Sequence, residues 1–259
     1  MLITDATGSD ALFPAQFGRG HDPGQVVPRM FAPPADLRLI PRSEWDARID
    51  EQEAQQSSLE HMRDRAPGGM PTLDQNGQGY CWAYSVTRSV MYARLVANLP
   101  LVRLSAHSVG CKIKNFRDEG GWCGLSQQFI KENGVCDVSA WPEKSMSRAN
   151  DTPAAWENAK RYRIEEDWVD LAKEVWNRGL TFDQVATCLL LNVPVVCDFN
   201  WWGHSVIATR LVRVEAGSYG LRIDNSWTDQ WGDRGKATLQ GSRAIPDGAV
   251  ATRSVALFA

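Results

Sequence analysis

The order of the hydrophobic patterns along the chain is the feature that most constrains its fold. Helical periodicity dominates the first part of the sequence, and β-branched or alternating segments dominate from Val193 onward. The patterns predict helices over 49–66, 81–98, 124–133 and 181–191, followed by strands over 193–199, 205–214 and 219–224. Helices first and strands later indicate an α+β fold in which the two kinds of element form separate layers.

Local signals add detail to two of these helices. In the helix over 81–98 the apolar residues recur at helical spacing, and Arg88 and Arg94 are expected to face water. Thr181 is predicted to cap the last helix, with Asp183 in its first turn, where a carboxylate is favourable.

Composition and charge exclude several classes of protein. The 259 residues are 43% apolar, which is enough for one domain or two small lobes, and the net charge of −3 gives no footprint for nucleic acid or an anionic membrane. The first residues lack a secretion signal, and no run of about 18 apolar residues could span a bilayer. We therefore expect a cytoplasmic or particle-associated protein.

The N-terminal part of the chain differs from the rest. Residues 1–37 are rich in proline and glycine and show neither helical nor strand periodicity, so they are predicted to form an extended arm, with the domain over 38–259. We expect the arm to dock on the body of the protein or on a larger assembly.

Cys81 is the first candidate for chemistry. It stands where the helix over 81–98 begins, and both a helix N-terminus and a neighbouring imidazolium lower the pKa of a thiol. Cys188 and Cys197 lie in apolar runs and are expected in the core. No pair of cysteines or histidines has the spacing of metal ligands, so neither a metal nor another cofactor is expected.

The imidazole could come from any of four histidines. His21, His61 and His107 are interpreted as surface residues. His204 opens an apolar strand, and a side-chain amide that could orient its ring follows at Asn225. A structural role for both Cys81 and His204 in an otherwise plain α+β domain is the simplest alternative.

Five motifs occur in one order between about Leu39 and Gly241. They are Gln75, Cys81-Trp82-Ala83-Tyr84-Ser85, Gly120-Gly121 with Gly134 and Trp141-Pro142, Gly203-His204-Ser205-Val206, and Asn225-Ser226-Trp227 with Trp231-Gly232 and Gly235. In this order they resemble the papain-like cysteine peptidases, in particular a bacterial or phage-type member without a prodomain.

This resemblance implies a two-lobe fold, with a helical lobe over about 70–150, an antiparallel β lobe over about 160–255 and the active site between them. It implies a peptidase in which Cys81 is the nucleophile, paired as a thiolate with protonated His204. Asn225 would orient His204, and Gln75 would donate to the oxyanion. The substrate would contact a glycine rail and aromatic walls, formed by Gly120, Gly121, Trp202, Gly203 and Trp227, with Trp201 beside them.

The sequence also departs from the family pattern. Gln78 and Asp118 stand where secreted members have disulfide cysteines, which fits folding in a reducing compartment. Residues 1–37 are too short to match the family's inhibitory prodomain, so any restraint on activity is expected from elsewhere.

Two other functions remain compatible with the motifs. One is a structural or assembly component, for example of a phage particle, built on a papain-like body. The other is an isopeptidase or a transglutaminase, which share the geometry of the catalytic groups. The substrate preference is not predicted.

Overall fold

The computed structural model describes residues 1–8, 16–22, 37–169, 178–215 and 217–257. Seven α-helices are described, besides three short 3-10 helices: α1 (Arg42–Gln55), α2 (Leu59–Arg65), α3 (Cys81–Val96), α4 (Ala106–Ile113), α5 (Cys123–Asn133), α6 (Pro153–Ala159) and α7 (Arg178–Leu190). Seven strands are described: β1 (Leu2–Ile3), β2 (Ile164–Val169), β3 (Val195–Phe199), β4 (His204–Glu215), β5 (Ser218–Asp224), β6 (Lys236–Gln240) and β7 (Gly248–Val255).

The strands form one sheet in the order β1-β6-β5-β4-β3-β7-β2. All neighbours are antiparallel except β1 and β6, which pair in parallel, so the predicted antiparallel layer is in fact mixed. The sequence patterns identified β3, β4 and β5 but gave no signal for the other four strands. The predicted α+β class is confirmed.

Helix α3 connects the two layers. It packs against β4 and β7 on one side and against α2, α4 and α5 on the other, and its residues from Cys81 to Arg94 are buried. This position explains why α3 carries apolar groups around most of its circumference rather than on one stripe.

The prediction that Arg88 and Arg94 face water is wrong. The Arg88 guanidinium donates to Asp224 Oδ2 at 3.0 and 2.7 Å, and Arg63 donates to Asp224 Oδ1 at 3.0 Å. Arg94 donates to the Pro100 carbonyl at 3.2 Å and lies over the Tyr162 ring. The buried Arg88 guanidinium is tolerated because Asp224 balances its charge, whereas Arg94 has a hydrogen-bond partner for Nη2 but none for Nε and Nη1 among the described residues.

Two predicted helix boundaries also differ from the structure. The polar helix over 49–66 is instead α1 and α2, separated at Ser58, whose side chain accepts from the His61 N–H and caps α2. Helix α7 begins at Arg178, so Thr181 lies inside it rather than at its cap, and Asp183 lies beyond its first turn. Asp183 instead binds Arg42 of α1.

The described parts of the N-terminal arm contact the body of the protein at two places. Leu2 and Ile3 pair with Thr238 and Leu239 of β6, and residues 16–22 cross the molecule near the start of α3. Residues 9–15 and 23–36 of the predicted arm lie outside the described residues. No described helix is long and apolar enough to cross a membrane.

Candidate active site

Cys81 is the first residue of α3 and is fully buried. The preceding loop turns through Asn76 and Gly77, whose φ angles are +54° and +75°, before the chain enters the helix at Tyr80. Trp82 donates from its indole N–H to the Gly79 carbonyl at 2.9 Å and ties this loop to the first turn. The thiol therefore lies where the unpaired N–H groups of a helix stabilise negative charge.

Gln75 lies in the same loop, and its side-chain amide has fixed orientation. Its Oε1 accepts from the Ser226 hydroxyl at 2.6 Å, so its Nε2 faces the opposite way and donates to the Gln78 carbonyl at 2.6 Å and the Gly18 carbonyl at 2.8 Å. The backbone N–H of Gln75 also donates to the Ser226 carbonyl at 3.0 Å. The loop before Cys81 is thus fastened to the segment after β5.

His204 and Asn225 meet through the pairing of β4 with β5. His204 Nε2 lies 2.8 Å from Asn225 Oδ1, which also accepts from the Ser226 backbone N–H at 2.7 Å. Because the amide oxygen already accepts from a backbone donor, the His204 Nε2 must be the protonated ring nitrogen. The other nitrogen, Nδ1, is buried and has no hydrogen-bond partner within the described part of the chain.

Aromatic rings enclose the His204–Asn225 pair. The Trp227 ring stacks on the His204 ring with centroids 4.4 Å apart, and the Trp202 ring meets it edge-on at 5.0 Å. Trp201 stacks on Trp202 at 5.2 Å. Exclusion of water strengthens the hydrogen bond between the imidazole and the amide.

Burial also controls the protonation of the two groups. It raises the pKa of the Cys81 thiol to about 11, against the opposing effect of N–H groups from Ser205 and Gly20. It lowers the pKa of the His204 imidazole to about 3; the hydrogen bond to Asn225 opposes this, and charges on Arg19 and His21 add to it. In this arrangement the thiol and the imidazole are both neutral, so the ion pair expected from the sequence is disfavoured.

Residues 16–22 of the arm lie directly against Cys81. The Gly20 N–H donates to Cys81 Sγ at 3.3 Å. The Gly20 carbonyl accepts from the Gly121 N–H at 2.7 Å, and the Gly121 carbonyl accepts from the Asp22 N–H at 2.9 Å, so His21 and Gly121 form a parallel bridge. The arm therefore lies along the predicted glycine rail as an extended peptide.

Each residue predicted to bind substrate contacts this segment. The Gly203 carbonyl accepts from the His21 N–H at 3.1 Å. The Trp202 carbonyl accepts from the Arg19 guanidinium at 3.2 Å. The Trp227 indole donates to the Gly18 carbonyl at 2.9 Å. A Cβ on Gly120 would lie 2.7 Å from the Gly20 carbonyl oxygen, so only glycine leaves room for a peptide chain here.

The arm engages the site in a pose that does not favour cleavage. Gln75 binds the carbonyl of the Gly18–Arg19 peptide unit, whereas Cys81 Sγ faces the N–H of the next unit, Arg19–Gly20. Attack requires a single peptide unit whose oxygen meets the donor while its carbon meets the sulfur. A trans peptide also directs its carbonyl oxygen away from its N–H.

Sequence reasoning missed two histidines in this region. His21, interpreted as a surface residue, has a side chain only 6% exposed, and its Nε2 lies 2.8 Å from Asn200 Oδ1. His107, also interpreted as a surface residue, is fully buried in α4 between the Gln78 side chain and the Tyr84 hydroxyl. Burial lowers the pKa of His107 to about 4. The Gly18-Arg19-Gly20 triplet, which suits close approach of two backbones, was the available signal for the first of them.

Two positions that lack the family's disulfide cysteines carry hydrogen bonds. Gln78 contacts His107, and the Asp118 carboxylate accepts from the Gly79 N–H at 2.7 Å. All six cysteines of the chain are free thiols. The loop before Cys81 is therefore held without a covalent link. Among the described residues, no group of three or more potential ligands could hold a metal ion.

No protein-family model matches the chain. Its sequence is 25% identical over 199 residues to digestive cysteine proteinase 3 of Homarus americanus, covering 67% of this chain and 58% of that protein. Mexicain of Jacaratia mexicana is 24% identical over 184 residues, covering 64% of this chain and 80% of mexicain. The structure of xylellain, a cysteine protease from Xylella fastidiosa, superposes with a TM-score of 0.63 at 17% identity, over 93% of this chain and 97% of xylellain.

This chain is related to the papain-like cysteine proteases. Its papain-like fold, predicted from the order of the motifs, is thereby confirmed. The chain spans 58% of the Homarus proteinase, the first of these relatives.

Proposed function

We propose that the protein is a papain-like cysteine endopeptidase that uses Cys81, His204 and Asn225 and forms a thioester acyl-enzyme. The main support for this proposal is that an extended peptide, the chain's own arm, lies between the Gly121 backbone and Cys81 Sγ. The relatives support a thiol protease at the level of the family, and they give no support to an assembly component.

The proposed reaction is acyl transfer to the Cys81 thiol. His204 Nδ1 takes the thiol proton, and Sγ attacks the carbonyl carbon of the scissile peptide. The oxyanion is stabilised by the Gln75 amide and by the Cys81 backbone N–H. His204 then protonates the leaving amine, which departs, and water activated by the same ring cleaves the thioester to give the acid and the free thiol.

The orientation of His204 supports this assignment of roles. Because Asn225 holds Nε2 as the donor, Nδ1 has its lone pair available to accept a proton. The stacked Trp227 ring shields that hydrogen bond from water.

The course of the arm supports an endopeptidase rather than an exopeptidase. Residues 16–22 run through the site, and the chain continues beyond them in both directions. An internal segment of a chain thus occupies the site, as the substrate of an endopeptidase would. The same segment would exclude substrate, so residues 16–22 restrain the enzyme in this arrangement, a role that the sequence had not suggested for residues 1–37.

The proposal is tested by peptide hydrolysis with the arm displaced. In the Gly20→Ala chain we expect cleavage of a peptide library, detected by mass spectrometry, and its complete loss when Cys81→Ala is added. Cys111→Ala is the matched control, since Cys111 is another buried thiol, in α4. Undiminished cleavage in the Cys81→Ala protein, or no cleavage by the chain with its arm displaced, would contradict the proposal.

A further inference from the structure

We propose that Asp198 forms the floor of a specificity pocket that selects peptides carrying a planar cation, imidazolium or guanidinium, at the residue that faces Gly121. His21 of the arm occupies this pocket in the structure. The inference rests on the proposed function for its biological meaning, although the binding it describes is measurable without catalysis.

The pocket lies beside the rail. His21 is the arm residue paired with Gly121, and it directly follows Gly20, whose N–H meets Cys81 Sγ. Its ring is 6% exposed, and Nδ1 lies 3.7 Å from Asp198 Oδ2. Asp198 belongs to β3 and pairs in register with Ser205 of β4, the residue after His204. A side chain in this pocket is therefore held close to the reacting groups.

The two ring nitrogens face different oxygen atoms of the pocket. Asn200 Oδ1 lies 2.8 Å from Nε2, within hydrogen-bond distance, whereas Asp198 Oδ2 lies 3.7 Å from Nδ1, which has no hydrogen-bond partner among the described residues. A neutral imidazole has only one N–H, whereas imidazolium and guanidinium have donors on both sides. Two acceptors at opposite sides of a flat group, one of them a buried carboxylate, favour a planar cation over a neutral side chain.

Because the Asp198 carboxylate is buried, it is stabilised by a neighbouring cation more than an exposed carboxylate would be. It is 4% exposed, and it accepts hydrogen bonds from the Ser205 hydroxyl and from the Cys123 N–H at 3.0 Å. The donors of these hydrogen bonds are neutral, and the ring that faces the carboxylate belongs to the arm rather than to the body of the domain. When the arm leaves, the His21 ring leaves with it, and a basic side chain of a substrate can take its place beside the carboxylate.

The position of Asp198 is unfavourable for the nucleophile. Its charge disfavours the Cys81 thiolate and adds to the rise in the pKa of that thiol. A bound cation offsets this charge at the thiol, whereas a charge on His21 in the same pocket lowers the pKa of His204. The preference of the pocket is therefore measured as binding, separately from the chemistry.

A purely structural role for Asp198 is the competing explanation, because its carboxylate accepts from Cys123, the first residue of α5. Such a role would affect the stability of the protein, but it would not distinguish a charged peptide from a neutral peptide of the same shape. The test therefore compares arginine with citrulline, which keeps the shape of arginine without its charge.

The experiment measures binding of synthetic peptides to the Gly20→Ala/Cys81→Ala chain by calorimetry. The peptides carry the sequence of residues 16–22 with arginine, citrulline or leucine in place of His21. We expect the arginine peptide to bind at least about 10-fold more tightly than the citrulline peptide, since an ion pair to a buried carboxylate is lost. Adding Asp198→Asn should bring the two affinities within about 2-fold of each other, a difference too small for a buried charge pair.

The Ser205→Ala chain is the matched control, because it removes one hydrogen bond to Asp198 while leaving the charge, and the preference for arginine should persist. Equal binding of the arginine and citrulline peptides, absence of binding by both, or a preference that survives Asp198→Asn would overturn the inference. If Asp198→Asn fails to fold, the ratio measured with Asp198 present decides. Because the chain in this experiment lacks the nucleophile, failure of the peptidase proposal would appear in the hydrolysis experiment alone.

Discussion

At the scale of single residues, the orientation of Gln75 depends on Ser226. The Ser226 hydroxyl donates to Gln75 Oε1, which leaves Nε2 directed toward the carbonyl that the arm presents. An amide free to rotate would present its oxygen to an oxyanion about as often as its nitrogen. Ser226 is therefore a positioning residue for the proposed oxyanion donor.

Removal of these groups should affect turnover more than substrate binding. In the Gly20→Ala background we expect Gln75→Ala to lower kcat by about 10²–10³-fold, the usual cost of losing one oxyanion donor. Ser226→Ala should lower it by roughly 10-fold with little change in KM, because the donor remains but is misoriented. Steady-state kinetics with Gln230→Ala, an exposed glutamine, as the control will measure both. A kcat for Gln75→Ala equal to that of the control would refute the role of Gln75.

The site residues that the sequence predicted lie in short motifs, whereas the buried residues that it assigned to the surface depend on partners far away in the chain. Cys81, Gln75, His204 and Asn225 stand within short motifs, and the structure brings Gln75 to Ser226 and His204 to Asn225. The burial of Arg88 depends on Asp224, which is 136 residues away in the sequence. Hydrophobic periodicity has no information about such a distant counterion, so it assigned a buried arginine to the surface.

At the scale of elements, the backbone of the arm makes close contacts with the cleft. Gly20 contributes an N–H and a carbonyl, and Gly18 contributes a carbonyl that accepts from two side chains. A Cβ on Gly20 would overlap the Gly79 carbonyl, and a Cβ on Gly18 would overlap that of Gly77. These two glycines are what allow the two chain segments to approach so closely.

The Gly20→Ala substitution should therefore displace the arm. We expect amide hydrogen exchange over residues 16–22 to increase by roughly 10-fold or more, while exchange in α3 is unchanged, since the loss is local. Gly8→Ala is the matched control, because a Cβ there meets nothing within 4 Å. If protection over 16–22 is the same in both variants, the arm is not held by this close contact.

Helices and strands with a strong hydrophobic periodicity were predicted from the sequence, whereas strands that form mainly by pairing with a neighbouring strand were not. Helix α3 was predicted to within two residues and α5 to within one, whereas α7 begins three residues before its predicted start. Strands β1, β6 and β7 gave no signal, because each depends on hydrogen bonds to a neighbour rather than on its own alternation. The arm was predicted to be extended, but a peptide that binds through its backbone has no side-chain pattern to indicate its position.

At the scale of the whole molecule, the site brings together parts of the chain that are far apart in sequence. Segment 16–22, the start of α3, the Gly120–Gly121 pair and the β3–β4 hairpin converge at Cys81, and residues 225–227 complete the enclosure. The helical layer supplies the thiol, and the sheet supplies the imidazole and its amide. The reactivity of the thiol therefore depends on the packing of α3 against β4 and on whether the arm is in place.

The state of the arm should also control the charge on the catalytic pair. With the arm in place, burial raises the pKa of Cys81 to about 11, and Arg19 and His21 add to the lowering of the pKa of His204. In this state the thiol keeps its proton below about pH 11, and the imidazole stays neutral above about pH 3. Departure of the arm removes these cations, which raises the pKa of His204, and it also removes the Gly20 N–H that favours the thiolate. Because water then solvates both charges, we expect the net change to favour the thiolate–imidazolium pair.

The pairing of Cys81 with His204 is tested most directly by the rate at which iodoacetamide alkylates Cys81 at pH 6, followed by peptide mass spectrometry. We expect slow alkylation in the wild-type chain, an increase of at least about 10-fold in Gly20→Ala, and loss of that increase in Gly20→Ala/His204→Ala, because the imidazolium stabilises the thiolate. Alkylation of Cys81 in the Gly20→Ala chain at the rate of an ordinary thiol, or at a rate that does not depend on His204, would contradict the assignment of Cys81 and His204 as a catalytic pair.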